Sequence, residues 1–327
     1  MMGLLVEGQW HDHWYDTDKQ GGEYLREAAQ LLNWITNDGS PGLTGEGGFA
    51  AEAGRYHLYV SLACPWAHRT LIFRTLKGLQ DSIDVSIVSP FMREYGWSFN
   101  TQEGSSGDRL FQSDYLYQLY QRNRRDYSGR VTVPVLWDKQ RQCIVNNESS
   151  EIIRMFNSAF DQLTGNEEDF YPEDLQGDID ATNDVVYENV NNGVYRAGFA
   201  TSQEAYERAY ESLFSTLGQL EQRLENNRYL TGDRVSEADW RLFTTLIRFD
   251  AVYHGHFKCN KQRLADYKNL WGFTRELYQW PGVAETVDFF HIKHHYYGSH
   301  LHINPTAIVP RGPELDYSAP HRRGQTI

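Results

Sequence analysis

The sequence predicts an α/β domain followed by an all-α domain, and three observations carry that expectation. Runs rich in β-branched and aromatic residues alternate with helical runs through the first half. Strand signals vanish from about residue 175, after which apolar residues recur at three and four positions. A length of 327 residues also suits two domains. The expected division is an extension over 1–50 packed on the body, an α/β domain over 51–165, and an all-α domain with a C-terminal extension over 175–327.

Residues 1–50 read as irregular, with Gly21-Gly22, Gly39-Ser40-Pro41-Gly42 and Gly45-Glu46-Gly47-Gly48 as loop signals. Trp10, Trp14, Tyr15, Tyr24 and Trp34 are nonetheless too many large rings for a free tail. A strand is expected over 56–61 (Tyr56-His57-Leu58-Tyr59-Val60). Then Ala67, Leu71, Ile72 and Leu76 fall at helical spacing, with Gly78 placed to end the helix. Alternation in Ile83-Asp84-Val85-Ser86-Ile87-Val88 gives a half-buried strand. A polar insertion over 92–128 is interrupted by a helix-like run, Tyr115 to Tyr120. Val133 to Trp137 and Cys143 to Val145 are short strands joined by a polar turn, and a helix runs from about Ser149 through Phe156. Strand-helix-strand, insertion, strand-strand-helix is the chain order of a thioredoxin-like domain. In the second half Tyr206, Ala209, Tyr210, Leu213, Leu217, Leu220 and Leu224 describe one amphipathic helix. Ser236-Glu237-Ala238-Asp239 reads as a capping box opening another helix.

The most informative stretch is Cys64-Pro65-Trp66-Ala67-His68, where a strand hands over to a helix. Proline suits the first helical position, because its missing N–H would have no intrahelical partner. Cys64 therefore falls at the N-cap, where unpaired backbone N–H groups and the helix dipole favour an anion. That setting raises the thiolate fraction, whereas a buried cysteine elsewhere is an inert small hydrophobe. Three places on, where a dithiol oxidoreductase carries its second sulfur, stands Ala67. Cys143 and Cys259 lie far off in sequence. Redox chemistry at Cys64 thus needs a thiol from outside, and a small-molecule thiol is the obvious donor.

Bulk properties exclude several classes. A net charge of −13 argues against nucleic-acid or anionic-membrane partners, and Arg122, Arg124 and Arg125 read as a solvated helix end. Three cysteines argue against a disulfide scaffold and for a reducing compartment. The start, Met1-Met2-Gly3-Leu4-Leu5-Val6-Glu7-Gly8, lacks a basic leader segment, and no apolar run approaches a membrane span, so a cytoplasmic protein is expected. His291 and His295 are four apart, but no Glu follows His291 to complete a zinc-protease motif, and no metal is expected.

Tyr229-Leu230-Thr231-Gly232-Asp233 ahead of the capping box, Val133-Pro134 and Glu148-Ser149 resemble the soluble glutathione transferases. More narrowly, Ser61 to Arg69, Gly129 to Asp138 and Asn147 to Phe156 resemble the glutathionyl-hydroquinone reductases, the Xi class. Asn191-Asn192-Gly193-Val194-Tyr195, Arg248-Phe249-Asp250, Tyr253 and His291-Ile292-Lys293-His294-His295-Tyr296 continue the likeness into the helical half. The resemblance implies a thioredoxin-like glutathione-binding domain followed by an all-helical glutathione transferase domain, in a homodimer. It also implies glutathione as co-substrate and glutathionyl-hydroquinones as substrates, reduced through a Cys64–glutathione mixed disulfide with release of oxidised glutathione.

On the residues alone, Glu148 and Ser149 read as a plain helix cap and Arg130 as a surface charge. Pro134 reads as a strand-opening proline, Trp97 as a buried anchor and any one of 21 tyrosines as core packing. The resemblance implies instead that Trp97, Arg130, Val133, Glu148 and Ser149 bind glutathione, Val133 through its backbone ahead of a cis-proline. Tyr195 would give a proton to the departing ring, and Tyr253 and Tyr296 would hold the thiolate and the hydroquinone. Two alternatives stay open: a general thiol transferase or dehydroascorbate reductase, and a non-catalytic binding module on the same scaffold.

Overall fold

The computed structural model describes residues 3–324; the start of the leader reading, Met1-Met2, lies outside them. Short strands β1 (Leu4–Val6) and β2 (Gln9–His11) come first, then β3 (Tyr56–Val60) and α1 (Pro65–Leu76). Next come β4 (Ile83–Ile87), β5 (Met92–Arg93), β6 (Gly96–Trp97), α2 (Tyr117–Asn123) and β7 (Gly129–Arg130). Strands β8 (Val135–Asp138) and β9 (Cys143–Asn146) lead into α3 (Ser149–Ser158) and α4 (Asp161–Thr164). The remainder is helical: α5 (Gln176–Val186), α6 (Gly193–Phe199), α7 (Gln203–Asn226), α8 (Glu237–Arg248), α9 (Lys268–Tyr278) and α10 (Phe289–Ser299).

Two units form, and they interleave along the chain. The first gathers the residues up to Trp14, Glu27–Glu168 and Thr286–Val309. The second gathers Tyr15–Arg26, Asp169–Glu285 and the residues from Pro310 onward.

A four-stranded sheet in the order β4-β3-β8-β9 centres the first unit, with β3 parallel to β4 and antiparallel to β8. Every residue of β3 is buried, as a central strand covered on both faces requires. The alternation expected of β4 is only partly present: Ser86 is buried, because its hydroxyl meets His57 Nε2 at 2.8 Å across the strand pair. Helices α1 and α3 pack against each other, and Ile72, Phe73, Ile152, Ile153 and Phe156 on them are buried. Each such side chain contributes roughly 1.5–3 kcal/mol by leaving water.

The segment read as irregular carries structure of its own. β1 and β2 form a hairpin about Glu7 and Gly8, both at positive φ (47° and 77°), the backbone a tight hairpin favours. A Cβ on Gly8 would lie 1.9 Å from the Arg125 carbonyl oxygen, so only glycine fits. β1 also pairs with β7, Leu4 opposite Arg130. Farther on, Leu32 bridges Asn146, with Asn33 N–H on the Val145 carbonyl at 2.9 Å and Asn147 N–H on the Leu31 carbonyl at 3.0 Å. The extension thereby covers the β9 edge, which would otherwise offer unpaired backbone groups.

In the second unit α5 passes through a π-helical turn, Tyr187–Asn191, toward α6, and α8 through another, Phe249–Tyr253. The expected capping box forms: Asp239 accepts from the Ser236 N–H at 2.7 Å and hydroxyl at 2.9 Å, and also from the Leu230 N–H at 2.8 Å. The long helix expected around Tyr206 to Leu224 is α7. Among the described residues this unit contains no strand, and no helix formed by the described residues is long and apolar enough to cross a membrane.

Candidate active site

Cys64 is the N-cap of α1, at φ −76° and ψ 121°, with Pro65 as the first helical residue. Its N–H returns to the Ser61 carbonyl at 3.2 Å, and its own carbonyl accepts from His68 N–H at 3.0 Å, closing the first turn. The sulfur is partly exposed and donates to the Val133 carbonyl at 3.7 Å. None of the three cysteines, all within the described residues, forms a disulfide. Burial pushes the Cys143 and Cys259 thiols upward, so neither supplies a ready thiolate. Position 67, one turn after Cys64, is a buried alanine that cannot resolve a disulfide.

The Val133-Pro134 peptide is cis, and the Val133 carbonyl faces the Cys64 sulfur. The Val133 N–H has no intrachain partner among the described residues, so one donor of an extended backbone segment stays available to a peptide-like ligand.

Glu148 is the N-cap of α3, and its Oε1 accepts from the Ser150 N–H at 2.9 Å and hydroxyl at 3.0 Å. The Ser149 hydroxyl donates to the same oxygen at 3.3 Å and accepts from Arg69 Nη1 at 3.4 Å. Arg69 is buried on α1, with its guanidinium over the Trp66 ring at 4.5 Å. Arg69 ends the Ser61 to Arg69 motif, where no sequence pattern gives it a role; the structure places it on a helix whose first turns are wholly buried. A buried cation beside a helix N-terminus suits a carboxylate ligand.

Arg130 sits in β7 and is not a surface charge: it is 9% exposed. Its Nε pairs with Glu27 at 3.0 Å and its Nη1 donates to the His13 carbonyl at 2.5 Å. Trp97, buried in β6, stacks on His295 with ring centroids 4.8 Å apart, and His295 Nδ1 contacts the Pro90 carbonyl at 2.9 Å. Tyr296, 1% exposed, follows on α10, whose cap Asp288 accepts from His291 N–H at 2.8 Å. Seven of the nine predicted site residues therefore belong to the first unit: Cys64, Trp97, Arg130, Val133, Glu148, Ser149 and Tyr296.

Tyr195 on α6 and Tyr253, the last residue of the second π turn, belong to the other unit. Their rings lie 6.1 Å apart, within an aromatic cluster that includes Phe257 at 5.6 Å from Tyr195 and 5.5 Å from Tyr253. Among the described residues no group of three or more His, Cys, Asp or Glu side chains is arranged to hold a metal ion.

Two families match the chain: Glutathione S-transferase, N-terminal domain, over residues 63–159, and Glutathione S-transferase, C-terminal domain, over residues 203–276. The chain is 59% identical to the glutathionyl-hydroquinone reductase YqjG of Escherichia coli, over 98% of each chain. It is 52% identical to the glutathionyl-hydroquinone reductase PcpF of Sphingobium chlorophenolicum, over 95% of this chain and 96% of that one. The glutathione-bound structure of YqjG superposes with a TM-score of 0.91 at 56% identity, covering 98% of this chain and 99% of that chain. A Xi class GST from Natrialba magadii gives 0.90 at 49% identity, over 98% and 96%.

Proposed function

Because the chain belongs to the glutathionyl-hydroquinone reductases, the Xi class of glutathione transferases, we infer that Cys64 is the nucleophile of its glutathione-dependent reductase activity. In the first step the Cys64 thiolate attacks the glutathionyl sulfur of the substrate. The bond between that sulfur and the ring carbon breaks, its electron pair stays on the ring, and a proton completes the free hydroquinone. The two sulfurs, now a Cys64–glutathione disulfide, have given up the two electrons that the ring carbon received. A second glutathione, as thiolate, then attacks the mixed disulfide, releasing oxidised glutathione and the Cys64 thiolate.

The observation that carries the reading is a lone thiol at a helix N-cap with alanine one turn on. It can form a mixed disulfide but cannot resolve it. Around it, the Val133 backbone is suited to the cysteinyl part of glutathione, and Glu148 and Ser149, with Arg69 behind them, to the γ-glutamyl end. Arg130 and Trp97 bound the same site in this reading, and Tyr195 supplies the proton to the leaving ring. Tyr253 and Tyr296 donate to the thiolate and the hydroquinone oxygens. Those three tyrosine roles rest on the family resemblance. The free thiols support a reducing, cytoplasmic setting, and the homodimer is a family expectation.

Intact mass decides the central step. Exposure to a glutathionyl-hydroquinone without free glutathione should add one glutathione to Cys64, and free glutathione should remove it. An unmodified chain that still turns over would overturn the mechanism. Faster turnover of simple mixed disulfides than of glutathionyl-hydroquinones would favour a general thiol transferase.

A further inference from the structure

Tyr120 lies on α2, inside the 92–128 insertion, and its side chain is fully buried. Its hydroxyl donates to the Thr132 carbonyl at 2.9 Å. It accepts from the Thr132 N–H at 3.3 Å and from Asn147 Nδ2 at 3.3 Å. A phenol has one proton to give and two lone pairs to offer, and these three bonds, with Thr132 Oγ1 a further 3.5 Å contact, engage all of them. Burial raises the Tyr120 pKa, and the hydroxyl keeps its proton at neutral pH.

The two residues it holds are each one step before a glutathione ligand. Thr132 precedes Val133, whose carbonyl faces the Cys64 sulfur, and Asn147 precedes the Glu148–Ser149 helix start. Asn147 is in turn pinned to the N-terminal extension: its N–H donates to the Leu31 carbonyl at 3.0 Å, and its Oδ1 accepts from Leu31 N–H at 3.2 Å. The insertion thus bonds through Tyr120, and the extension through Leu31, to the same Asn147.

We propose that Tyr120 is a positioning residue that fixes the spacing between the loop holding the cysteinyl part of glutathione and the helix start holding its γ-glutamyl end. This rests on the glutathione site proposed above. It gives the insertion and the extension a shared task, to set the two ends of the ligand cleft at one distance. The hydroxyl, not the ring, does this, because only the oxygen reaches both loops. Loss of the hydroxyl leaves the buried Asn147 amide and the partly buried Thr132 N–H without this acceptor, and each loop then relaxes independently.

The test is the steady-state reduction of a glutathionyl-hydroquinone at varied glutathione by Tyr120→Phe, Asn147→Ala, the double variant and, as control, Glu148→Ala. Tyr120→Phe should raise the glutathione KM at least fivefold while kcat stays within twofold, with the rate of Cys64 alkylation by iodoacetamide unchanged. Asn147→Ala should raise KM in the same direction, and the double variant should match the worse single rather than the product of the two, because one hub is lost once. A KM within twofold of the parent in Tyr120→Phe, or fully multiplicative effects in the double variant, overturns the proposal, whatever the melting temperature. Should Tyr120→Phe not be recovered folded, Asn147→Ala decides on the same KM criterion. If Glu148→Ala also leaves KM unchanged, the glutathione site itself is misplaced. If Glu148→Ala raises KM and Tyr120→Phe does not, only the positioning role fails.

Discussion

The carbonyl oxygen of Val133 lies 3.7 Å from the sulfur of Cys64 and accepts its S–H. An acceptor of that kind favours the neutral thiol, while the N-terminus of α1 favours the thiolate. The sulfur thus sits between two backbone features that pull its proton in opposite directions. In the proposed binding mode, glutathione pairing with the Val133 backbone would compete for that carbonyl and favour the thiolate.

Cys64→Ser keeps a side-chain oxygen at the N-cap of α1, and serine is among the preferred capping residues. The fold should therefore survive with an unchanged or slightly raised melting temperature. Turnover of a glutathionyl-hydroquinone should fall by roughly a thousandfold or more, since removing a nucleophile typically costs that much. Substantial residual turnover by a folded serine variant would remove Cys64 from the mechanism.

Glu148 caps α3, and in the proposed site it would also be a ligand. Its carboxylate accepts from Ser150 N–H at 2.9 Å, so Glu148→Ala should cost about 1 kcal/mol of stability as an ordinary cap does. The glutathione requirement should rise much more steeply than that loss suggests, if the carboxylate also holds the γ-glutamyl end as proposed. Steady-state KM for glutathione and thermal melting, measured on the same preparation, separate the two roles. A pure cap would lower the melting temperature and leave KM alone.

Local features of this fold were legible in the sequence, and features made by distant partners were not. The β3–Cys64–Pro65–α1 handover, the Ser236–Asp239 box and the Glu148 cap each lie within a few residues and carry residue-type signatures. β1 and β2 are three residues each, too short for periodicity, and β1 finds its partner at Arg130, far along the chain. For the same reason Arg130 read as a surface charge, although Glu27 and the His13 carbonyl bury it. Arg69 and Tyr120 had no pattern to mark them: their partners, Ser149, Thr132 and Asn147, become neighbours only when the sheet closes. The π turns at Tyr187–Asn191 and Phe249–Tyr253 likewise have no residue signature to read.

Two buried groups should give opposite pH dependences of stability across one window. Burial lowers the His57 pKa from 6.5 to about 4, so between those values the unfolded chain binds more protons. The His57 contribution is then full above about pH 6.5 and lost as pH falls toward 4. Burial raises the Asp239 pKa from 3.8 to about 6, so here the folded chain binds more protons, and its contribution is lost as pH rises through 6. Each amounts to about 3 kcal/mol by linkage, with opposite sign. His57→Gln should flatten the loss of stability on acidification, and Asp239→Asn should steepen it. Urea midpoints at pH 4, 5 and 6.5 check both, and curves parallel to the parent's would refute the assignments.

The tyrosines provide the sharpest separation of roles. Tyr253 and Tyr296 are both buried, and Phe keeps the ring while removing the hydroxyl. A hydrogen bond to an ionised group contributes about 1.5–3 kcal/mol, so losing a donor to the thiolate should slow Cys64 alkylation at fixed neutral pH by roughly tenfold or more. The alkylation curve should move toward alkaline pH in both Tyr253→Phe and Tyr296→Phe. Tyr195→Phe should leave that curve in place and slow only the release of hydroquinone, because in the proposed role its proton goes to the departing ring carbon rather than to the sulfur. Rapid quench of the first half-reaction, without free glutathione, reads that release directly. An unshifted alkylation curve in both Tyr253→Phe and Tyr296→Phe would return those residues to packing. An unchanged first half-reaction in Tyr195→Phe would leave the proton donor to be sought elsewhere.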